Sequence, residues 1–120
     1  MERKTVEELS DEVIAAEAAE EALRTEGVYM LLPGITDAIQ ENLLRKIIDA
    51  PGVKINRNED HVSFDITLMT QYGYNIPSVA WDVQERIKRR VEQLYGLTVD
   101  IVDVHVQKIH FGEREETALS

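Results

Sequence analysis

The clearest pattern in the chain is an apolar residue at every third or fourth position from Ile76 to Leu94. This spacing places apolar side chains on one face of an α-helix, namely Ile76, Ala80, Val83, Ile87, Val91 and Leu94. Pro77 suits the first turn of a helix, and Gly96 stands where a left-handed residue would end it. The segment therefore predicts a long amphipathic helix with one buried face.

Another helix is predicted near the start of the chain, where alanine is abundant and neither Gly nor Pro occurs before Gly27. Two N-caps are open: Thr5, in a capping box with Glu8, and Ser10, which two acidic residues follow. We expect the helix to end at about Arg24. Its apolar stripe is thin because acidic residues intrude, so we expect shallow packing; the stripe is Leu9, Val13, Ala16 and Leu23, with Ile14, Ala18 and Ala22 beside it, and the acids are Glu17, Glu20 and Glu21.

Three shorter segments predict β-strands. Residues 28–32 form an apolar run bounded by Pro33-Gly34, which is typical of a buried strand. Residues 53–55 and 62–68 flank a polar stretch at 56–61, which predicts an antiparallel hairpin with a turn longer than two residues. In the longer strand apolar and polar residues alternate, so we expect a sheet covered on one side only.

A last strand is predicted over residues 97–111, where apolar and polar residues again alternate: Val102, Val104 and Val106 against Asp103, His105 and Gln107. Val99 and Ile101 are out of phase with that alternation, which predicts a bulge near Ile101. Between the first two strands, residues 36–50 have helical spacing and end at Pro51-Gly52.

These elements predict one α+β domain over residues 1–111. We expect a small sheet that holds an antiparallel hairpin, two main helices packed on one face, and a shorter helix between strands 1 and 2. Residues 112–120 show no period and are predicted to be a disordered tail.

The composition of the chain disfavours several classes of function. A formal net charge of −10 disfavours direct binding to nucleic-acid phosphates and anionic lipids. The absence of cysteine excludes disulfides and thiolate chemistry and favours the cytoplasm. Apolar runs of only a few residues predict neither a signal peptide nor direct membrane insertion. The one basic cluster, Arg86, Lys88, Arg89 and Arg90, is either a solvated face or a contact for an acidic partner.

Candidate chemistry is sparse. The three histidines, at 61, 105 and 110, have no metal-ligand spacing, and no serine lies in a Gly-x-Ser-x-Gly elbow. If the two long strands are neighbours, Asp65, Asp103 and His105 share the open sheet face, and such a set suits a metal ion or acid–base chemistry. The competing interpretation is that these residues are polar because that face is wet.

Aromatic residues offer another kind of site. Trp81 lies away from the apolar stripe of its helix, on the same side as Tyr95, and an exposed Trp is a common anchor of protein interfaces. Alternatively, the 36–50 helix or the tail covers it. Tyr72 and Tyr74 flank Gly73, so this turn is a second contact patch or simply a hydrophobic turn.

The stretch from Gln71 to Gln84, with Tyr-Gly-Tyr-Asn-Ile-Pro at 72–77 and Val-Gln at 83–84, resembles the alkaline shock protein family, also called the envelope-stress-response family. The resemblance covers most of the chain and includes Ser10-Asp-Glu-Val-Ile at 10–14, the Gly-Val pairs at 27–28 and 52–53, and Gly-Leu at 96–97. It implies a bacterial cytoplasmic stress protein that self-associates and serves cell-envelope homeostasis, without catalysis or cofactor. It also implies a partner, either a membrane-anchor protein or an envelope-synthesis enzyme.

This sequence departs from the family pattern where Glu17 and Glu20 replace apolar residues and Pro51 replaces a basic one. The predicted function is a non-enzymatic one, exerted through protein contacts and self-association, with Trp81, Tyr95, Tyr72 and Tyr74 as interaction residues. The alternative is a small-molecule or metal-binding module on the open face.

Overall fold

Two helices lie on one face of a four-stranded sheet in the part of the chain that the computed structural model describes, residues 10–33 and 52–112. The elements in chain order are α1 (Asp11–Leu23), β1 (Val28–Leu31), β2 (Val53–Asn58), β3 (His61–Gln71), α2 (Ile76–Tyr95) and β4 (Thr98–His110). The predicted α+β class is confirmed. The predicted 36–50 helix, the Thr5 cap and the tail after residue 112 lie outside the described residues.

β3 is the centre of the sheet, because each of the other three strands pairs with it. Along one of its edges β1 and β2 pair antiparallel, with Leu31 opposite Leu68 and Val53 opposite Ile66. Along the other edge β4 pairs parallel. A parallel neighbour needs a crossover connection, and α2 supplies it.

The core lies between the sheet and the helices. Every second residue of β3 points into it and is at most 2% exposed: Val62, Phe64, Ile66, Leu68 and Thr70. Ile14 and Ala18 of α1 and Val83 and Ile87 of α2 meet this face and are fully buried. The opposite face of the sheet carries no helix among the described residues, as the alternation in β3 predicts.

The predicted ends of α2 are confirmed. The Asn75 side-chain oxygen accepts a hydrogen bond from the Ser78 backbone N–H at 3.0 Å, and Gly96 ends the helix with φ of 70°. The predicted apolar stripe is wrong at two positions. It omits Val79, which is buried, and it includes Leu94, which is 46% exposed. Leu94 points the same way as the stripe but lies in the last turn, beyond the last buried position of α2.

In α1 the N-cap is Ser10, whose hydroxyl accepts a hydrogen bond from the Val13 N–H at 3.2 Å. The predicted apolar stripe is wrong here, since Val13 and Leu23 are each 50% exposed. The buried side of α1 is instead the small-residue side, Ile14, Ala15, Ala18, Glu21 and Ala22. Alanine side chains let the helix axis lie close to neighbouring elements, so the side of α1 that carries small side chains is the buried one.

The hairpin turn is shorter than predicted. Asn58 pairs directly with His61, which leaves only Glu59 and Asp60 in the turn. Glu59 adopts a positive φ of 58°. The polar composition of residues 56–58 predicts a loop, yet an edge strand with one face in water accepts polar side chains.

The predicted bulge in β4 is confirmed. Val62 faces Val99 while Ser63 faces Ile101, so Asp100 is the extra residue. The inserted residue reverses the phase of the side chains, which explains why Val99 is buried and Ile101 is 62% exposed. A second bulge leaves Gln107 unpaired between Val106 and Lys108.

Candidate functional site

One end of the sheet gathers most of the aromatic side chains outside the core. Tyr29 stacks on His110 with ring centroids 3.8 Å apart and an interplanar angle of 11°. Beside this pair, Tyr72 contacts Phe111 with centroids 5.0 Å apart. We call these four residues together with Tyr74 the aromatic end. At the aromatic end, side chains from β1 and from the ends of β3 and β4 form one surface.

Backbone hydrogen bonds fix this end of the sheet. The Gln71 N–H donates to the Gly27 carbonyl at 2.8 Å, and the Tyr72 N–H donates to the His110 carbonyl at 2.9 Å. Gly73 then reverses the chain with φ of 99°, a conformation that favours glycine. The aromatic side chains are therefore presented by anchored backbone and not by a free loop.

Tyr74 is held by packing over Gly27. A Cβ at Gly27 would lie 3.1 Å from the Tyr74 ring and 2.7 Å from the Val79 side chain, so only glycine fits beneath them. The Tyr74 hydroxyl donates to Glu26 at 3.4 Å. The ring still remains 40% exposed and contributes to the surface.

A shallow groove runs along the aromatic end. It is lined by Thr70, Gln71, Tyr72, Gly73, Tyr74, Ile76 and Ile109. The Thr70 hydroxyl is fully buried and has no hydrogen-bond partner among the described residues. Tyr72 is 61% exposed, more than any other tyrosine described.

The four predicted interaction residues do not form one patch. Trp81 is exposed, as predicted, and lies on the second turn of α2, near the aromatic end. Tyr95 is half-buried against the core at the other end of α2. With a rise of about 1.5 Å per residue, the two are roughly 21 Å apart along the helix axis. Trp81 therefore lies at the end of α2 that follows Tyr72 and Tyr74 in the chain, and Tyr95 lies at the other end.

The second predicted set, Asp65, Asp103 and His105, does come together on the open face of the sheet. Asp65 and Asp103 face each other across β3 and β4. The His105 Nε2 lies 3.4 Å from Asp65 Oδ1 and 3.6 Å from Asp103 Oδ2. One ligand atom from each residue lies within 4.8 Å of the others, and all three side chains are exposed. This geometry suits a cation with open coordination positions.

The remaining histidine with a carboxylate neighbour is His61, at the opposite end of the sheet. Its Nδ1 lies 3.0 Å from Asp100 Oδ1, and this hydrogen bond raises the pKa of His61 above its ordinary value. Asp60 and Glu59 add smaller effects in the same direction. Both side chains are about half exposed, so this pair closes the hairpin end of the sheet without enclosing a site.

The basic cluster contacts α1. Arg90 binds Glu17 at 3.0 Å, and Arg86 binds the buried Glu21 at 3.6 Å, where Arg24 also reaches it at 3.2 Å. The acidic residue at position 17, unusual for the family pattern, thus has a partner on α2. Most of this cluster's charge is used within the chain, which weakens the interpretation that it binds an acidic partner.

Taken together, the fold and surface define a small α+β domain with an exposed aromatic end and no helix in the described part that is long and apolar enough to span a bilayer. Residues 2–111 match the model of the alkaline shock protein 23 family, which is described as having a cell envelope-related function. The chain belongs to this family.

Individual relatives agree with this assignment. The uncharacterized protein Spy1614 of Streptococcus pyogenes serotype M6 is 38% identical over 105 residues, covering 85% of each chain. The uncharacterized protein YloU of Bacillus subtilis is 33% identical over 104 residues, covering 85% of this chain and 86% of that protein. YqhY of the same species is 26% identical over 91% of this chain and 80% of that protein. No solved structure gives a significant match.

Sequence reasoning missed part of the aromatic end. Tyr29 and His110 lie far apart in the chain and stack only because β1 and β4 flank the same end of β3. The apolar pair Ile109 and Phe111 near the end of the predicted last strand was the available signal in the sequence. In the structure each of the two side chains is 39% exposed. The contact between Phe111 and Tyr72 depends on the order of the strands in the sheet, and the local pattern of apolar residues does not predict that order.

Proposed function

We propose that this protein serves cell-envelope homeostasis without catalysis, by binding another protein through its aromatic end and Trp81. The observation that carries the proposal is the grouping of exposed aromatic side chains on backbone that hydrogen bonds hold in place. Tyr and Trp are enriched among residues that dominate binding energy, because they bury a large area and lose little conformational freedom.

The exposed aromatic residues are otherwise unfavourable to the isolated chain. Tyr72 and Trp81 are 61% and 59% exposed, and the shallow groove between Tyr72 and Ile109 adds apolar surface to the same end. Burying apolar surface is worth roughly 25 cal/mol per Å². A protein partner that covers Tyr72, Tyr74 and Trp81 would recover that free energy, which supports a docking role.

A non-catalytic role is supported by how the ionisable groups are used. His61 binds Asp100, and Glu92 accepts the Val99 N–H at 3.0 Å and binds Lys88. These bonds connect the strand ends to each other and to α2, so these ionisable groups have structural roles. We further propose that the protein is cytoplasmic and reaches the membrane periphery through its partner, a membrane-anchor protein or an envelope-synthesis enzyme.

Site-specific photo-cross-linking in living cells tests this proposal. A photoreactive phenylalanine at position 72 should give one dominant adduct to a protein of different mass. The same residue at position 94 is the control, because Leu94 is a comparably exposed apolar residue at the far end of α2. The adduct should disappear with Trp81→Ala. Equal labelling from both positions would overturn the docking proposal.

Self-association is a separate part of the proposal and needs its own test. Light scattering at several concentrations should give a mass that rises with concentration. A monomer mass at every concentration would refute self-association. Repeating the series with Trp81→Ala asks whether the aromatic surface also holds the copies together.

A second candidate function is metal binding on the open face, favoured by the convergence of Asp65, Asp103 and His105. A cation bound only by the folded chain must raise its melting temperature. Zinc, manganese or calcium should do so for the native chain and not for His105→Ala. His61→Ala is the matched control, since it removes another exposed histidine beside a carboxylate. No shift with any of the three ions would refute this alternative.

A further inference from the structure

The outer edge of β4 is the longest strand edge that the described chain leaves without a neighbouring strand. β4 has 13 residues, and β3 pairs with one of its edges along nearly the whole length. Within residues 10–33 and 52–112, no strand pairs with the other edge. A free edge offers backbone N–H and C=O groups to any strand that fits it.

Side chains of α2 close the first part of this edge. Gln84 donates to the Val102 carbonyl at 2.9 Å, and Lys88 donates to the Val99 carbonyl at 3.3 Å. The Val99 N–H in turn donates to Glu92 at 3.0 Å. The backbone groups of Val99 and Val102 therefore point away from β3.

The second part of the edge has no neighbouring strand within residues 10–33 and 52–112. The backbone groups of successive residues in a strand point to alternate sides, so Val104 and Val106 point outward like Val102. No side chain among the described residues donates to their carbonyls as Gln84 does to that of Val102. Both valines are only partly buried, although they lie on the helix-covered face. The regular ladder runs from Ile101 to Val106.

This stretch is complementary to itself when read antiparallel. Centred on Val104, the pairing places Val102 opposite Val106 of a second copy and Asp103 opposite His105 of that copy. The Val102 carbonyl, which already accepts a hydrogen bond from Gln84, would accept the Val106 N–H of the second copy with its second lone pair. Centring on Asp103 instead would set two carboxylates face to face, and centring on His105 would set two imidazoles face to face. Two carboxylates directly opposite each other destabilise a pair of strands. A carboxylate opposite an imidazole can accept its N–H hydrogen bond, and two opposed imidazoles would leave both Asp103 carboxylates without that partner.

We propose that the β4 edges of two copies pair antiparallel about a two-fold axis at Val104, joining two sheets into one. The proposal deepens the self-association part of the proposed function and does not depend on the aromatic end. The direction of the backbone groups agrees with this register. The N–H and C=O of Val104 point outward, so Val104 can exchange two hydrogen bonds with Val104 of the second copy.

Cysteine cross-linking tests the register, and the native chain contributes no cysteine of its own. In Val104→Cys the two thiols would sit at the two-fold axis, with Cα atoms about 5.5 Å apart, which suits a disulfide. Mild oxidation should convert this variant to a covalent dimer. Ile101→Cys is the control, because position 101 is 62% exposed yet would face position 107 of the second copy. Equal or faster cross-linking of Ile101→Cys would overturn the proposal.

Charge exchange provides an independent test by sedimentation. Asp103→Lys and His105→Glu should each raise the dimer Kd roughly 3- to 30-fold, since each alters two symmetric pairs. Mixing the two variants should restore dimers of native affinity, because the introduced ammonium of one copy then faces the introduced carboxylate of the other. Asp65→Lys, with the same charge change on β3, should have a smaller effect. A mixture no tighter than its components would contradict the register.

The outcomes separate this proposal from the proposed function. A native chain that stays monomeric in light scattering overturns both the edge pairing and self-association, while cross-linking from position 72 to another protein would still support docking. Dimers that Trp81→Ala abolishes, without a Val104→Cys cross-link, overturn the edge pairing and place self-association at the aromatic surface.

Discussion

Gly27 is where the fold of the aromatic end is most sensitive to a single methyl group, and Gly73 provides a matched comparison. Both glycines have nearly the same left-handed backbone, with φ of 96° and 99°. At Gly27 a Cβ would lie 2.7 Å from Val79 and 3.1 Å from Tyr74, whereas at Gly73 nothing lies within 4 Å. Substituting each by alanine therefore separates the steric cost from the conformational one.

The magnitudes follow from these two costs. A left-handed alanine costs about 1–2 kcal/mol, and the stiffer unfolded chain returns about 0.4–1 kcal/mol. Gly73→Ala should then lower the free energy of unfolding by roughly 1 kcal/mol. Gly27→Ala adds an overpacking cost of about 1–3 kcal/mol, for a total of roughly 2–4 kcal/mol.

Urea denaturation at 25 °C, followed by far-UV circular dichroism, measures both variants against the native chain. Gly27→Ala should shift the midpoint clearly further than Gly73→Ala, with similar slopes. Equal midpoints for the two variants would refute the packing of Tyr74 and Val79 over Gly27. The position of Tyr74 within the docking surface would then lose its structural basis.

Three other predictions concern the core and the hairpin end. Ile87→Ala, at a fully buried position of α2, should cost about 2–5 kcal/mol in urea denaturation, and a loss under about 1 kcal/mol would contradict the assigned core. Because Asp100 raises the pKa of His61, the pair should stabilise the fold below about pH 6.5 and lose that effect as pH rises through the raised pKa; melting curves of Asp100→Asn should lack this pH dependence. Glu59→Gly should raise the free energy of unfolding by up to about 1 kcal/mol, because it relieves a positive φ of 58°, and a destabilised variant would argue against that turn geometry.

Features set by nearby residues were predictable. The ends of α2 follow from Asn75, Pro77 and Gly96, whose capping and φ preferences act within one turn. The break in the alternation between Ile101 and Val102 likewise indicates the β4 bulge, and the structure places the extra residue beside it, at Asp100.

Features set by distant contacts were not predictable. Which side of α1 is buried depends on how closely the helix approaches α2, so Ala18 is buried while the larger Val13 is exposed. The aromatic end depends on β1 and β4 flanking the same end of β3, and no local pattern encodes that order. The Asp65, Asp103 and His105 set was predicted only on the condition that β3 and β4 are neighbours, which the sheet satisfies.

The central claim is that the aromatic end, and not a chemical reaction, carries the envelope function. The most direct measurement is the survival of a strain lacking this gene under envelope stress, complemented with Tyr72→Ala/Trp81→Ala at matched protein level and melting temperature. We predict that this variant fails to restore survival, while Leu94→Ala and His105→Ala restore it fully. Full rescue by the Tyr72→Ala/Trp81→Ala variant, or failure of His105→Ala alone, would contradict the claim.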